Sequence, residues 1–112
     1  MVSFGTGPQS RLTVDVHQDG NALVVRPAGE LDMATTDVLD KDLLDAFESR
    51  ATSIVLDLEG LTFIDSTGLR LLLSAAHRAR ENGDRLRIHC EAGAVRGMLE
   101  LSGLDRLLPL GV

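Results

Sequence analysis

Along the chain, apolar residues follow two periods. Leu12, Val14 and Val16 alternate with Thr13, Asp15 and His17, the period-two signature of a half-buried strand. Asp19, Gly20 and Asn21 supply turn chemistry, residues 23–28 return as a second strand, and Gly29 closes what reads as a hairpin. From residue 34 to 50 the period becomes helical. Val38, Leu39, Leu43, Ala46 and Phe47 share one side, Asp37, Asp40, Lys41, Asp45 and Glu48 fall mostly on the other, and Asp32 or Thr35 is placed to cap the N-terminus. Residues 53–58 lack alternation across Ile54, Val55 and Leu56, which predicts a strand covered on both faces.

After Gly60, taken as a loop, Phe63 and Ile64 lead into Asp65, Ser66, Thr67 and Gly68, which open a second helix over residues 66–82. Its stripe is Leu69, Leu72, Leu73, Ala76 and Ala79, with Arg70, Ser74, His77, Arg78 and Glu81 off it and Gly83 as a left-handed stop. Leu86, Ile88 and Cys90 predict a fourth strand. A short helix over residues 92–102 turns Val95, Met98 and Leu99 inward and stops at Gly103. Leu107, Leu108 and Leu110 suggest a last edge strand, where Pro109 is tolerable. The order β-β-α-β-α-β-α-(β) predicts an α/β fold: one mixed sheet of four to five strands, about three helices and right-handed crossovers. Residues 1–10, with Gly5, Gly7 and Pro8, read as a flexible lead-in, and residues 11–112 as a single domain.

Composition narrows the function classes. Of 112 residues 44% are hydrophobic and 25% charged, the balance of a globular domain. The net charge of −6 argues against a nucleic-acid ligand, which needs basic groups to displace counterions. Aromatic residues are limited to Phe4, Phe47 and Phe63, too few for base or sugar stacking. Cys90 is alone, so an intrachain disulfide is impossible and a reducing cytoplasm is the expected setting. Neither a signal peptide nor an apolar run of membrane-spanning length is visible, so direct membrane insertion is not expected.

Catalytic and metal constellations are thin. Ser66 sits at a strand-to-helix turn, but a nucleophile elbow needs glycine on both sides, and here the flanking residues are Ile64 and Gly68. His17, His77 and His89 have no evident placement near Ser66. His89 and Cys90 are strand neighbours pointing to opposite faces, and neither a metal-binding spacing nor a P-loop is present. No catalytic residue, metal or cofactor is therefore expected. Residues 65–69 are different. Ser66 and Thr67 lie at a helix N-terminus, where backbone N–H groups point outward and the helix dipole favours negative charge. The same residues also read as an ordinary cap, with Asp65 or Ser66 bonding the first turn and Gly68 allowing close backbone approach.

Several separated motifs resemble the STAS domain family (sulfate transporter and anti-sigma factor antagonist). They are Gly29-Glu30-Leu31-Asp32, Ile54-Val55-Leu56-Asp57-Leu58, Leu61-Thr62-Phe63-Ile64-Asp65-Ser66-Thr67-Gly68-Leu69 and Ser102-Gly103-Leu104, in order across residues 11–110. The chain looks most like the short stand-alone members, the bacterial anti-sigma factor antagonists of partner-switching transcription regulation. That resemblance implies a cytoplasmic phosphoprotein without catalysis of its own, phosphorylated on Ser66, with Thr67 as the alternative. Unmodified, it implies binding to an anti-sigma factor that is also a serine kinase of the histidine-kinase-like ATPase fold, with release of a sigma factor. A metal-dependent serine phosphatase resets the switch. The implied contact residues are Glu30, Asp32, Asp65, Ser66, Thr67 and Gly68; Arg70 and Leu71, on the side of the second helix read as exposed, are further candidates. The protein is expected to be a monomer or weak dimer. Relatives sharing the fold also serve as subunits of membrane transport complexes or stress-signalling scaffolds without a phospho-switch, which is the alternative reading.

Overall fold

A computed structural model describes residues 11–111 of the chain. The expected lead-in at residues 1–10 lies outside the described residues. Two strands, β1 (Leu12–Asp19) and β2 (Ala22–Leu31), form the hairpin, joined at Gly20, whose φ of +63° suits a residue without a side chain. Helix α1 (Thr36–Phe47) follows, then β3 (Ser53–Asp57), β4 (Gly60–Ile64), α2 (Ser66–Glu81), β5 (Leu86–His89) and α3 (Ala94–Ser102). The expected α/β architecture, a mixed sheet with three helices, is the one observed.

The sheet runs β1-β2-β3-β5. One edge of β2 is filled by antiparallel β1. Its other edge is shared in series: parallel β3 pairs with Ala22 to Val25, and parallel β4 with Ala28 to Leu31. Strands β3 and β4 therefore act as one interrupted strand running beside β2, and Gly60 starts a strand rather than a loop. The register shifts between Gly29 and Glu30, which leaves Thr62 opposite no partner. This bulge turns both Leu61 and Ile64 inward, three positions apart, so β4 has no period-two pattern. The anticipated C-terminal edge strand is reduced to a single parallel bridge, Leu110 beside Ile88, preceded by a 3-10 turn at Leu104–Arg106. Pro109 contributes through its carbonyl, which accepts the Ile88 N–H at 2.9 Å.

The core lies on one face of the sheet. Leu12, Val25, Leu31, Ile54, Leu56, Leu86 and Ile88 meet Leu39, Leu43 and Phe47 of α1, Leu72, Ala76 and Ala79 of α2, and Val95 and Leu99 of α3. The opposite face carries Thr13, Asp15, Arg26, Ala28 and Arg87 and is open to water. Strand β3 is thus covered on one face only, because Val55 looks out onto this surface and is half-buried among its neighbours. Met98 also departs from expectation: at 38% exposure it lies at the rim of α3 rather than inside it.

One polar side chain ties these layers together. Arg85, just ahead of β5, donates to the carbonyls of Phe47 at 2.6 Å and Ser49 at 3.2 Å, and also to that of Ala51. It thereby satisfies orphan carbonyls at the end of α1 and in the link to β3.

Candidate functional site

The parallel register of β2 and β4 decides the site. Leu31 lies opposite Ile64, so the next residues, Asp32 and Asp65, emerge side by side at the carboxyl ends of two parallel strands, and each precedes a helix. The Asp65 N–H donates to the Leu31 carbonyl at 3.2 Å. Gly68 completes the junction. A Cβ there would stand 2.7 Å from the Ile64 side chain and 3.0 Å from the Leu31 carbonyl oxygen, so only glycine lets α2 start this close to β2. Glu30, Asp32, Asp65, Ser66, Thr67 and Gly68, the residues that the family resemblance implied, are thus brought to one end of the sheet.

Asp65 is the cap of α2. Its carboxylate accepts the Gly68 N–H at 2.9 Å and its carbonyl accepts the Leu69 N–H. Ser66 and Thr67 fall on the first two helical positions, and their N–H groups have no protein partner among the described residues. The two hydroxyls differ in setting. Ser66 is exposed, whereas Thr67 is half-buried in a groove of about 290 Å³ between α1 and α2 that it lines with Thr36, Asp37, Asp40, Arg70 and Leu71. Arg70 is exposed, but Leu71, read from the sequence as surface, is half-buried against the core, since the helix presents it to α1 rather than to water.

On the β2 side, Thr35 occupies the cap position of α1 without capping it. Its hydroxyl accepts the Asp32 N–H at 2.9 Å and donates to the Glu30 carbonyl at 2.9 Å, knitting the strand-to-helix link instead. Asp32 accepts the Ala34 N–H at 2.9 Å, and its side chain is 16% exposed. Arg11 then spans Glu30 at 3.2 Å and Asp32 at 3.6 Å. Arg11 was not anticipated, because the pairing depends on β1 lying beside β2 and not on any local spacing. Met33, 79% exposed next to Asp32, and Phe63, 48% exposed two residues before Asp65, add apolar surface to this end.

The histidines and the cysteine lie apart from this end. His17 pairs with Asp15 at 2.8 Å on β1, and His77 is exposed on α2. His89 lies 3.4 Å from Glu59, and with Glu91 these two place three possible ligand atoms within 4.8 Å on the open side. Cys90 is buried, and desolvation, reinforced by the Glu59 carboxylate, pushes its thiol pKa upward, so it stays protonated and unreactive at neutral pH.

Because Asp65 is the single side-chain cap of α2, Asp65→Ala should cost about 1 kcal/mol. Asp65→Asn, which retains the acceptor, should cost a fraction of that. Urea denaturation of the three proteins checks this, and equal midpoints for the alanine variant and the wild type would contradict the cap.

The mixed sheet thus delivers an exposed serine to a helix N-terminus, flanked by carboxylates and a shallow groove. A family model described as "Mlab, STAS domain" matches residues 14–109, and the chain belongs to the STAS family. It is 30% identical over 100 residues to an anti-sigma F factor antagonist of Paenibacillus polymyxa, covering 88% of this chain and 86% of that one. Among solved structures, an anti-sigma factor antagonist from Mycobacterium paratuberculosis aligns with a TM-score of 0.80 and 28% identity, over 93% of this chain and 87% of the other. The antagonist SpoIIAA in its unphosphorylated form aligns with a TM-score of 0.66 and 25% identity, over 89% of both chains. Among the described residues no helix is long and apolar enough to cross a membrane.

Proposed function

We propose that the protein is an anti-sigma factor antagonist whose binding is switched by phosphorylation of Ser66. The observation that carries this reading is the exposed Ser66 hydroxyl on the first helical position of α2, beside Asp65 and Asp32 at the joined ends of β2 and β4. The names of the relatives support the role. In the unmodified state this end of the sheet, with Glu30, Asp32, Asp65, Ser66, Thr67, Gly68, Arg70 and Leu71, binds an anti-sigma factor of the histidine-kinase-like ATPase fold, and the sigma factor is set free. The same partner transfers the terminal phosphoryl group of bound ATP to the Ser66 oxygen. The P–O bond to ADP breaks, ADP leaves, and the serine proton passes to solvent. A metal-dependent phosphatase hydrolyses the ester to restore serine and inorganic phosphate. The protein supplies a presented hydroxyl and contributes no catalytic group.

Ser66 is preferred to Thr67 because a kinase must bring its nucleotide within bonding distance of the hydroxyl. Ser66 meets that from solvent, whereas Thr67 is hemmed in by α1 and faces the groove with Asp37 and Asp40.

The test is a pull-down from lysate of the native cell with wild-type protein beside Ser66→Asp, bound proteins being identified by mass spectrometry. Retention by the wild type alone of a small kinase-fold protein that releases a sigma factor is the expected result. Equal recovery of membrane transporter components by both forms would defeat the proposal and reduce Ser66 to a helix-opening residue.

A further inference from the structure

On the reading that Ser66 accepts phosphate, we infer that Arg70 is the internal counter-cation of that phosphate. Modification then acts twice: it adds negative charge to the first turn of α2, and it draws away from the groove a guanidinium that the unmodified protein leaves free for a partner.

Ser66 and Arg70 are four residues apart on α2 and both are exposed. Helical side chains lean toward the N-terminus, so Arg70 covers the turn that carries Ser66, and an acidic group preceding a basic one at this spacing is the favourable orientation. Arg70 makes no hydrogen bond or ion pair among the described residues, although it lines the same groove as Asp37 and Asp40. The neighbouring cations are committed: Arg11 to Glu30 and Asp32, and Arg78 to Asp40 at 3.8 Å, with its guanidinium 6.0 Å from the centre of the Phe47 ring. The charged groups on the elements around Ser66 are therefore Asp65 at the cap of α2, Asp32 at the end of β2, Asp37 and Asp40 on the facing helix α1, and, among the described residues, the one uncommitted guanidinium of Arg70. The planar fork of arginine matches two phosphate oxygens at once.

The contact is tested on full-length protein carrying phosphoserine inserted at position 66 during translation, which requires no kinase. The phosphorus-31 chemical shift is followed against pH in the wild type, Arg70→Gln and Arg70→Lys, all first shown to be folded by circular dichroism. A nearby cation stabilises the dianion, so the second phosphate pKa should be about 0.3 units higher in Arg70→Gln than in the wild type. Arg70→Lys should keep most of the wild-type shift, and 1 M salt should erase the difference, roughly a 3 Å screening length leaving little of an exposed pair. Coincident titrations of the wild type and Arg70→Gln would overturn the contact. Separately, unmodified protein is incubated with its kinase and ATP and the phosphate is located by mass spectrometry. Phosphate on another residue would defeat the Ser66 assignment, and with it the regulatory use of Arg70, even where the titration shows the contact.

Discussion

Phosphate on Ser66 is expected to weaken binding to the proposed ATPase-fold partner by about 100-fold or more, a change of about 2.7 kcal/mol. The magnitude follows from what the partner must cover. A group of about −1.5 to −2 charge is added beside the half-buried carboxylates of Asp65 and Asp32, in a protein of net charge −6. Burying that dianion costs desolvation and like-charge repulsion together, and no refolding is needed. Two variants separate charge from structure. Ser66→Ala should bind within a few-fold of the wild type, since it removes only an exposed hydroxyl. Ser66→Asp adds one charge rather than nearly two and should lose part of the affinity. It should unfold no more easily than the wild type, because an acidic side chain in the first helical turn is favoured by the helix dipole. Isothermal titration calorimetry against the partner, alongside urea denaturation, measures both. Undiminished binding by the phosphorylated protein would refute the switch.

Gly29→Ala should be the most damaging single substitution at this end of the sheet, costing about 3 kcal/mol or more of stability. Gly29 has a φ of +111°, outside the region open to other residues, and a Cβ there would stand 2.0 Å from the Arg11 carbonyl oxygen. That oxygen also accepts the Glu30 N–H, so relief of the clash would push the start of β1 away from β2 and break up the Arg11 pairing with Glu30 and Asp32. Gly20→Ala is the control. Its φ of +63° is left-handed but nothing lies within 4 Å of the added methyl, so about 1 kcal/mol is expected. Equal denaturation midpoints for the two variants would show that the close approach of β1 is not a constraint.

Much of this architecture was legible because local chemistry and tertiary use coincide. The α1 stripe of Leu39, Leu43, Ala46 and Phe47 is the buried stripe, and the hairpin turns at the anticipated glycine. The cap of α2 is one of the two residues named for it, Asp65. The site was legible for a related reason: Asp65, Ser66, Thr67 and Gly68 are consecutive, so a helix start alone sets their relative positions. Where sequence and structure part, period had been broken by tertiary pairing. Strand β4 was missed and Gly60 taken as a loop because the bulge at Thr62 puts Leu61 and Ile64 on one face three residues apart. Strand β3 was read as doubly covered because Val55, beside Val24 on the open face, is apolar without being deeply buried.

By itself the sequence determined which segments are helix and which are strand, except for β4, which it missed, and the C-terminal edge strand, which is only a bridge. It also placed an acceptor, two hydroxyls and a glycine at one helix start, since these depend on interactions within four residues of one another. The tertiary structure decided what those residues face. Pairing of β2 with both β3 and β4 set Asp32 beside Asp65, the β1 register carried Arg11 to Glu30, and α1 hemmed in Thr67 while leaving Ser66 and Arg70 in water. Each of these depends on strands or helices brought together across the fold, and no local periodicity encodes a register between segments that remote.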